Sequence, residues 1–356
     1  MTVGDISTLL VWGAMTAFTV GFLAYTADLA RIAEAASRAS RLPIAERELA
    51  EVGAAASSSA APSSAAGTQP AAADSGTGAV PVASGSRRAE GISRSTTYLG
   101  VLLLLAGIVA RGIAAGRWPT ANMYEFTLVG AFVAVTVLAV VQRKRYIPFL
   151  GVVVHGIAVL ALALALLVFY VQADAVQPAL QSYWLVLHVG VAISATGVFT
   201  VAFAAAALQV LKDARESGRS RLDASWQRFE PVRAGLQRWR VTGPAWEWLR
   251  SVPSARELEA LSFRLNSIGF VLWTFTLIGG AIWAEHAWGR YWGWDPKEVG
   301  TFIAWVVYAA YLHARTTRGW SGSRAAYFVF VGYGVVLANF TVINLFVTGK
   351  HSYSGL

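Results

Sequence analysis

The sequence predicts an all-α polytopic membrane protein of about eight transmembrane helices, and three observations carry that prediction. The 356 residues are 56% hydrophobic and only 14% charged, with a mean hydropathy of +0.51. Soluble domains carry roughly 25% charged residues. Eight apolar runs are each long enough to cross about 30 Å of hydrocarbon. The cations are concentrated in every second connection between those runs.

The first run, 8–30, makes residues 1–30 an N-terminal transmembrane helix. Asp5, not a basic stretch, precedes it and it continues to Ala30, so it reads as an uncleaved span. Residues 31–96 read as a cytoplasmic linker, disordered where 48–95 are mostly Ala, Ser, Gly and Pro without apolar periodicity. Runs at 97–115, 123–142, 147–171 and 183–211 supply helices 2–5 of a unit spanning 97–211. Residues 212–262 form a basic cytoplasmic loop in which arginines alternate with Trp226, Trp239, Trp246 and Trp248. That pattern suits a helix lying on the inner membrane surface. Runs at 263–285, 297–314 and 324–348 complete the bundle as helices 6–8 of a final unit, 263–356.

The loops after spans 1, 3, 5 and 7, with the residues flanking them, hold 7, 3, 11 and 3 Lys or Arg, 24 of the 29 in the chain. The other five are Arg111, Arg117, Arg290, Lys297 and Lys350. This asymmetry predicts that those four loops are cytoplasmic and that both termini lie on the outer, periplasmic side. The net charge of +9 is then a topology signal. It calls for no nucleic acid, and anionic inner-leaflet lipid is the expected partner. A bacterial cell (cytoplasmic) membrane is the expected location. Cysteine is absent, which excludes a disulfide, a thiolate metal site and a dithiol relay within this chain.

The most unusual stretch is WGRYWGWDPKE, Trp288 to Glu298. Trp283, Trp288, Trp292 and Trp294 fall within twelve residues, where 14 Trp in 356 residues predict about half of one. Gly289 and Gly293 allow tight turns that present the indoles together. Such a shelf suits a large, flat, apolar ligand, and an ordinary interfacial aromatic belt is the competing reading. Asp295, Pro296 and Glu298 have a plainer role. An N-cap acid, a proline at the first helical position and an acid at the third form a capping box opening span 7.

Five histidines are distributed over this topology. His188, near the outer end of span 5, and His351, after the outer end of span 8, can both reach the shelf despite their separation in sequence. Paired neutral imidazoles over an aromatic cradle describe bis-histidine ligation of a haem iron. His313 lies some 17 residues into span 7, roughly 25 Å along it, where an ionisable side chain is a functional candidate. Its neighbour Arg315 leaves open that it only snorkels at the interface. His155 reads as a packed core residue and His286 as an interfacial one.

These motifs resemble the tryptophan-rich (WWD) haem-handling family of cytochrome c biogenesis, in its system II branch of CcsA/ResC-type proteins (also labelled CcsB). The resemblance rests on ANMYEF (Ala121 to Phe126), ALQSYWLVLHV (Ala179 to Val189), the shelf, AAYLHAR (Ala309 to Arg315) and GKHSYS (Gly349 to Ser354). It implies that haem b is substrate and bound ligand, that His188 and His351 are the external iron ligands and that His313 is a transmembrane one. With the reading of the shelf, Trp288, Trp292, Trp294, Arg290 and Asp295 are the expected haem contacts. The resemblance also implies a ResB-type partner that completes the transmembrane site, and an apocytochrome c whose CxxCH cysteines receive the haem. The activity implied is that of a subunit of a cytochrome c haem lyase (holocytochrome c synthase), with no conventional catalytic nucleophile. The alternative is a haem exporter or chaperone that delivers haem without attaching it. A small-molecule permease with an aromatic gate is the reading without haem. Haem propionates need cations or water. Arg290, Lys297 and Lys350 are the candidates, with Arg290 preferred for its forked guanidinium and its place between Trp288 and Trp292.

Overall fold

The computed structural model describes residues 1–41, 87–173, 182–218 and 240–351. Those residues form helices and connecting turns, with no strand among them. The helices are α1 (Val3–Arg41), α2 (Arg87–Ala115), α3 (Met123–Lys144), α4 (Pro148–Leu167), α5 (Tyr183–Glu216), α6 (Ala255–Trp288), α7 (Pro296–Thr317), α8 (Ser323–Phe340) and the short α9 (Val342–Phe346). A 3-10 segment, Pro244–Ser251, precedes α6. Local chemistry sets the starts. Asn122 and Ser182 cap α3 and α5, Pro148 opens α4, and full capping boxes open α6 (Ser254, Glu257) and α7 (Asp295, Glu298).

Seven of these helices are long and apolar enough to cross a membrane, and the chain is a multi-pass helical protein. The eighth expected span, α7, is a 22-residue helix packed between α6 and α8. Its tyrosines, Trp305, His313 and Arg315 make it less apolar than the rest.

Three boundaries differ from the sequence reading. The expected linker is helical at both ends, because good helix formers carry α1 to Arg41 and α2 back to Arg87. Each extension bears an i,i+4 ion pair, Glu34 with Arg38 and Glu90 with Arg94. The rest of the linker lies outside the described residues. The basic loop is not a surface helix over its described part. Trp248 stacks on Phe149 at 5.6 Å, and Lys212 Nζ donates to the Leu249 carbonyl at 2.6 Å. Residues 240–254 are thereby folded back against α1, with further contacts to α4 and α5, since buried indole offsets the fixed backbone. Trp226 and Trp239 lie outside the described residues. Finally, span 8 is interrupted at Thr341. There Lys297 Nζ donates to the Asn339 carbonyl at 2.9 Å, a side-chain insertion of the kind that breaks a helical ladder.

Two groups of helices pack together. In one, α1 lies along α2 and α4; in the other, α6 and α8 pack on α5, and α7 packs on α8 and α6. The central member is α5, with 72% of its apolar span buried against 28–44% for the six other candidate spans. At one end of the bundle the start of α5, the end of α6, the start of α7 and the end of α8 converge with the cap of α3. That end carries the aromatic shelf.

Candidate haem site

The shelf is built by two helix ends. Gly289 closes α6 in the left-handed conformation, its N–H donating to the Glu285 carbonyl at 2.7 Å. After five residues Asp295 opens α7. Trp294 also adopts a positive φ, 57°, a backbone state that costs a bulky residue about 1–3 kcal/mol. The Glu298 carboxylate holds it there by accepting the N–H groups on either side, Gly293 at 2.9 Å and Asp295 at 3.0 Å.

Behind this turn lies a cavity enclosing about 1160 Å³ of empty space, part of it open to solvent. Its walls are mostly apolar and aromatic, with Trp273, Trp283, Trp292 and Phe340 prominent, and both His188 and His351 face it. The two imidazoles share a neighbour. Trp283, only 1% exposed, lies parallel to His188 at 6.2 Å and edge-on to His351 at 5.5 Å. Trp288 packs on His351 at 4.9 Å.

Each imidazole is oriented by an acceptor at Nδ1. His188 Nδ1 lies 2.8 Å from the Thr276 carbonyl oxygen and His351 Nδ1 lies 2.9 Å from Asp295 Oδ1. A carbonyl or a carboxylate can only accept, so both Nδ1 atoms carry the proton and both Nε2 atoms present a lone pair. Burial holds His351 below its ordinary pKa, against the opposing pull of Asp295. The ring is thus kept in the neutral form that binds metals. Close approaches make room for both rings. A Cβ at Gly280 would stand 2.7 Å from His188 Cε1, and one at Gly349 would stand 2.6 Å from Asp295 Oδ2.

A further part of the wall is Thr120 to Met123, at the start of the ANMYEF stretch. It is fixed by a buried ionic cluster in which the fully buried Glu125 accepts from Arg111 at 3.1 Å, from Arg117 at 2.8 Å and from the Ala121 N–H at 2.9 Å. Arg111 also donates to the Val171 carbonyl at 2.8 Å. Removing one partner of such a cluster costs about 3–5 kcal/mol. Sequence reasoning missed this support, although an arginine inside an apolar run was its signal.

The other expected site residues are dispersed. Trp292 lines the cavity; Trp294 does not, and is 75% exposed. Trp288 serves His351 and not the cavity wall. Asp295 stands behind His351 instead of at the cavity, bound also to the Lys297 and Lys350 N–H groups at 3.1 and 2.6 Å. Arg290 is exposed, with its guanidinium folded over Gly293, and is absent from the cavity wall. Its place is taken by Lys297, which the sequence reading ranked lower. His313 is exposed on α7, on a stripe with Phe302, Val306 and Ala310. His155 is fully buried, with Nδ1 3.0 Å from the Gly151 carbonyl and Nε2 3.1 Å from the Thr97 hydroxyl. His286 is exposed and bonds within its own helix.

This placement separates two tryptophans that look equivalent in sequence. Trp292→Ala should lower the affinity for an added porphyrin by on the order of tenfold, since stacked aromatic contacts contribute about 0.5–1.5 kcal/mol beyond area burial. Trp294→Ala should change it less than threefold. Titration followed by quenching of tryptophan fluorescence, alongside thermal unfolding, measures both.

Fold and site together define a polytopic helical membrane protein with an aromatic, two-imidazole cavity at one end of the bundle. The chain belongs to the cytochrome c assembly protein family, whose model matches residues 120–351. It is 35% identical over 279 residues to the cytochrome c biogenesis protein CcsA of Synechococcus sp. (strain CC9902), covering 76% of this chain and 89% of that one. It is 32% identical over 262 residues to the CcsA of Prochlorococcus marinus (strain MIT 9303), covering 71% of this chain and 80% of that one. Among solved structures it superposes on the cytochrome c haem lyase CcmF with a TM-score of 0.58 at 15% identity. That alignment covers 96% of this chain and 47% of the other, and it shows a shared fold.

Proposed function

We propose that this chain is the haem-presenting subunit of a system II cytochrome c synthase. Its family gives it a role in cytochrome c biogenesis. The observation that carries the finer reading is the pair of imidazoles, His188 and His351, each oriented through its Nδ1 and both lining one aromatic cavity. The cavity wall suits a porphyrin in its aromatic lining and its donor set. Haem b is the substrate, with His188 and His351 holding its iron from this chain.

The residues orient the porphyrin and shield it from water, and the second substrate brings the reactive thiols. The chain has no cysteine, so the thiols come from an apocytochrome CxxCH segment. Addition of a thiol across a vinyl group forms one C–S bond and moves the thiol hydrogen to the adjacent carbon. No oxidant is needed. The cation asymmetry supports a topology with the shelf and both termini outside, in a bacterial cytoplasmic membrane, with anionic inner-leaflet lipid at the basic loops. The exposed α7 stripe bearing His313 is the surface for a ResB-type partner, which supplies the second ligand of a transmembrane haem.

Co-expression with a ResB-type partner and a CxxCH reporter tests this reading. Covalent reporter haem that requires both chains is expected. Haem-loaded protein that delivers haem to the reporter without forming thioether bonds would instead identify an exporter or chaperone.

A further inference from the structure

The cavity wall carries a cation that pairs with no carboxylate among the described residues. Lys297 is the second residue of α7, and its side chain runs along the wall to the break between α8 and α9. Its Nζ donates to the Asn339 carbonyl at 2.9 Å, one neutral acceptor for a group with three donors. The two acids nearby in sequence are committed elsewhere. Asp295 Oδ1 is shared by the Lys297 N–H and His351, and Oδ2 accepts from Lys350 N–H. Glu298, the acid on the cavity wall, is turned back to the Gly293 and Asp295 N–H groups through Oε2.

The competing cations lie elsewhere. Arg290 is folded over Gly293, Lys350 Nζ sits 5.4 Å over the Trp288 ring, and Arg111 and Arg117 are tied to Glu125. An ammonium on an apolar wall is stabilised by a counter-ion, and the cavity is the direction from which one can arrive.

We propose that Lys297 receives a carboxylate of the ligand and so fixes which edge of the porphyrin lies against the seam of α7 and α8. The proposal rests on the haem reading of the site. Haem carries its two propionates on one edge. Fixing that edge at Lys297 turns the vinyl groups away from the seam. A contact between charged groups is worth on the order of ten- to a hundredfold in affinity, and esterifying the propionates removes it without altering the ring.

The experiment compares binding of haemin and haemin dimethyl ester to the purified full-length protein, followed at the Soret band. Wild type should bind haemin at least about tenfold more tightly than the ester. Lys297→Met should lose that preference while keeping its affinity for the ester, and ester binding then reports an intact cavity. Lys297→Arg should keep the preference, and Arg290→Gln should match wild type. If the Met variant does not fold, the wild-type and Lys297→Arg preferences decide the matter. Equal affinity of wild type for the two porphyrins, or a preference that survives in Lys297→Met, would overturn the assignment and leave the haem reading standing. Binding of neither porphyrin would overturn both.

Discussion

Replacing His188 or His351 by alanine should abolish reporter maturation, to below about one per cent of wild type, while the protein still accumulates in the membrane. The two side chains reach one cavity from elements far apart in sequence, and each has its Nδ1 engaged. Losing either leaves an iron held from one side. Added imidazole should restore part of the activity, because the Ala variant leaves a space of the ring's own shape beside Trp283. The two variants should differ in their response. The niche for His188 is bounded by Gly280 and lies between two packed helices. His351 lies on the terminal segment beside Trp288. Rescue should therefore need less imidazole at position 351. Maturation near wild type in the double variant, measured by covalent haem in the reporter, would contradict the assignment.

The second large effect is expected at Asp295, although it does not touch the cavity. Its carboxylate caps α7 and accepts from the Lys350 N–H and the His351 ring. Asp295→Ala removes an N-cap, at about 0.5–2 kcal/mol, and also frees the segment that carries His351. Metal-binding histidines whose outer partner is removed lose roughly 10–100-fold in affinity. Asp295→Asn keeps the Oδ1 acceptor for the cap and the His351 ring but withdraws the charge and sets an NH2 donor against the Lys350 N–H. We expect the Ala variant to lose haem at the shelf and the Asn variant to retain it with a raised reduction potential, since the ligand ring becomes less basic. Potentiometry on the two variants checks this. An Ala variant with wild-type occupancy and potential would show that the Asp295 contact is idle.

Much of this was legible from local patterns. Apolar runs located the helices because burying backbone in hydrocarbon demands them, and the DPKE run announced the α7 cap. Proximity of His188 and His351 followed from helix ends alone. What the sequence could not convey was direction. Trp292 and Trp294 are two residues apart and diverge because Trp294 is left-handed, held by a Glu298 contact that exists only after folding. Arg290 appeared better placed than Lys297 by spacing and by its forked head. The α6–α7 turn folds Arg290 over Gly293, while the α7 helix carries Lys297 inward to Asn339. Trp273 was read only as part of a span, yet tertiary packing of α5 on α6 makes it cavity wall beside Trp283. The break at Thr341 was hidden for the same reason, since its cause is a side chain from another helix.

The central claim is that one porphyrin is held between His188 and His351. Low-temperature electron paramagnetic resonance tests it most directly, on the purified His313→Ala protein loaded with one equivalent of ferric haem. Removing His313 leaves the shelf as the single proposed haem site. The account predicts a low-spin, six-coordinate bis-imidazole spectrum that turns high-spin on replacing either His188 or His351 and returns with added imidazole. A high-spin spectrum in the parent protein, or a low-spin spectrum unchanged by both replacements together, would contradict it.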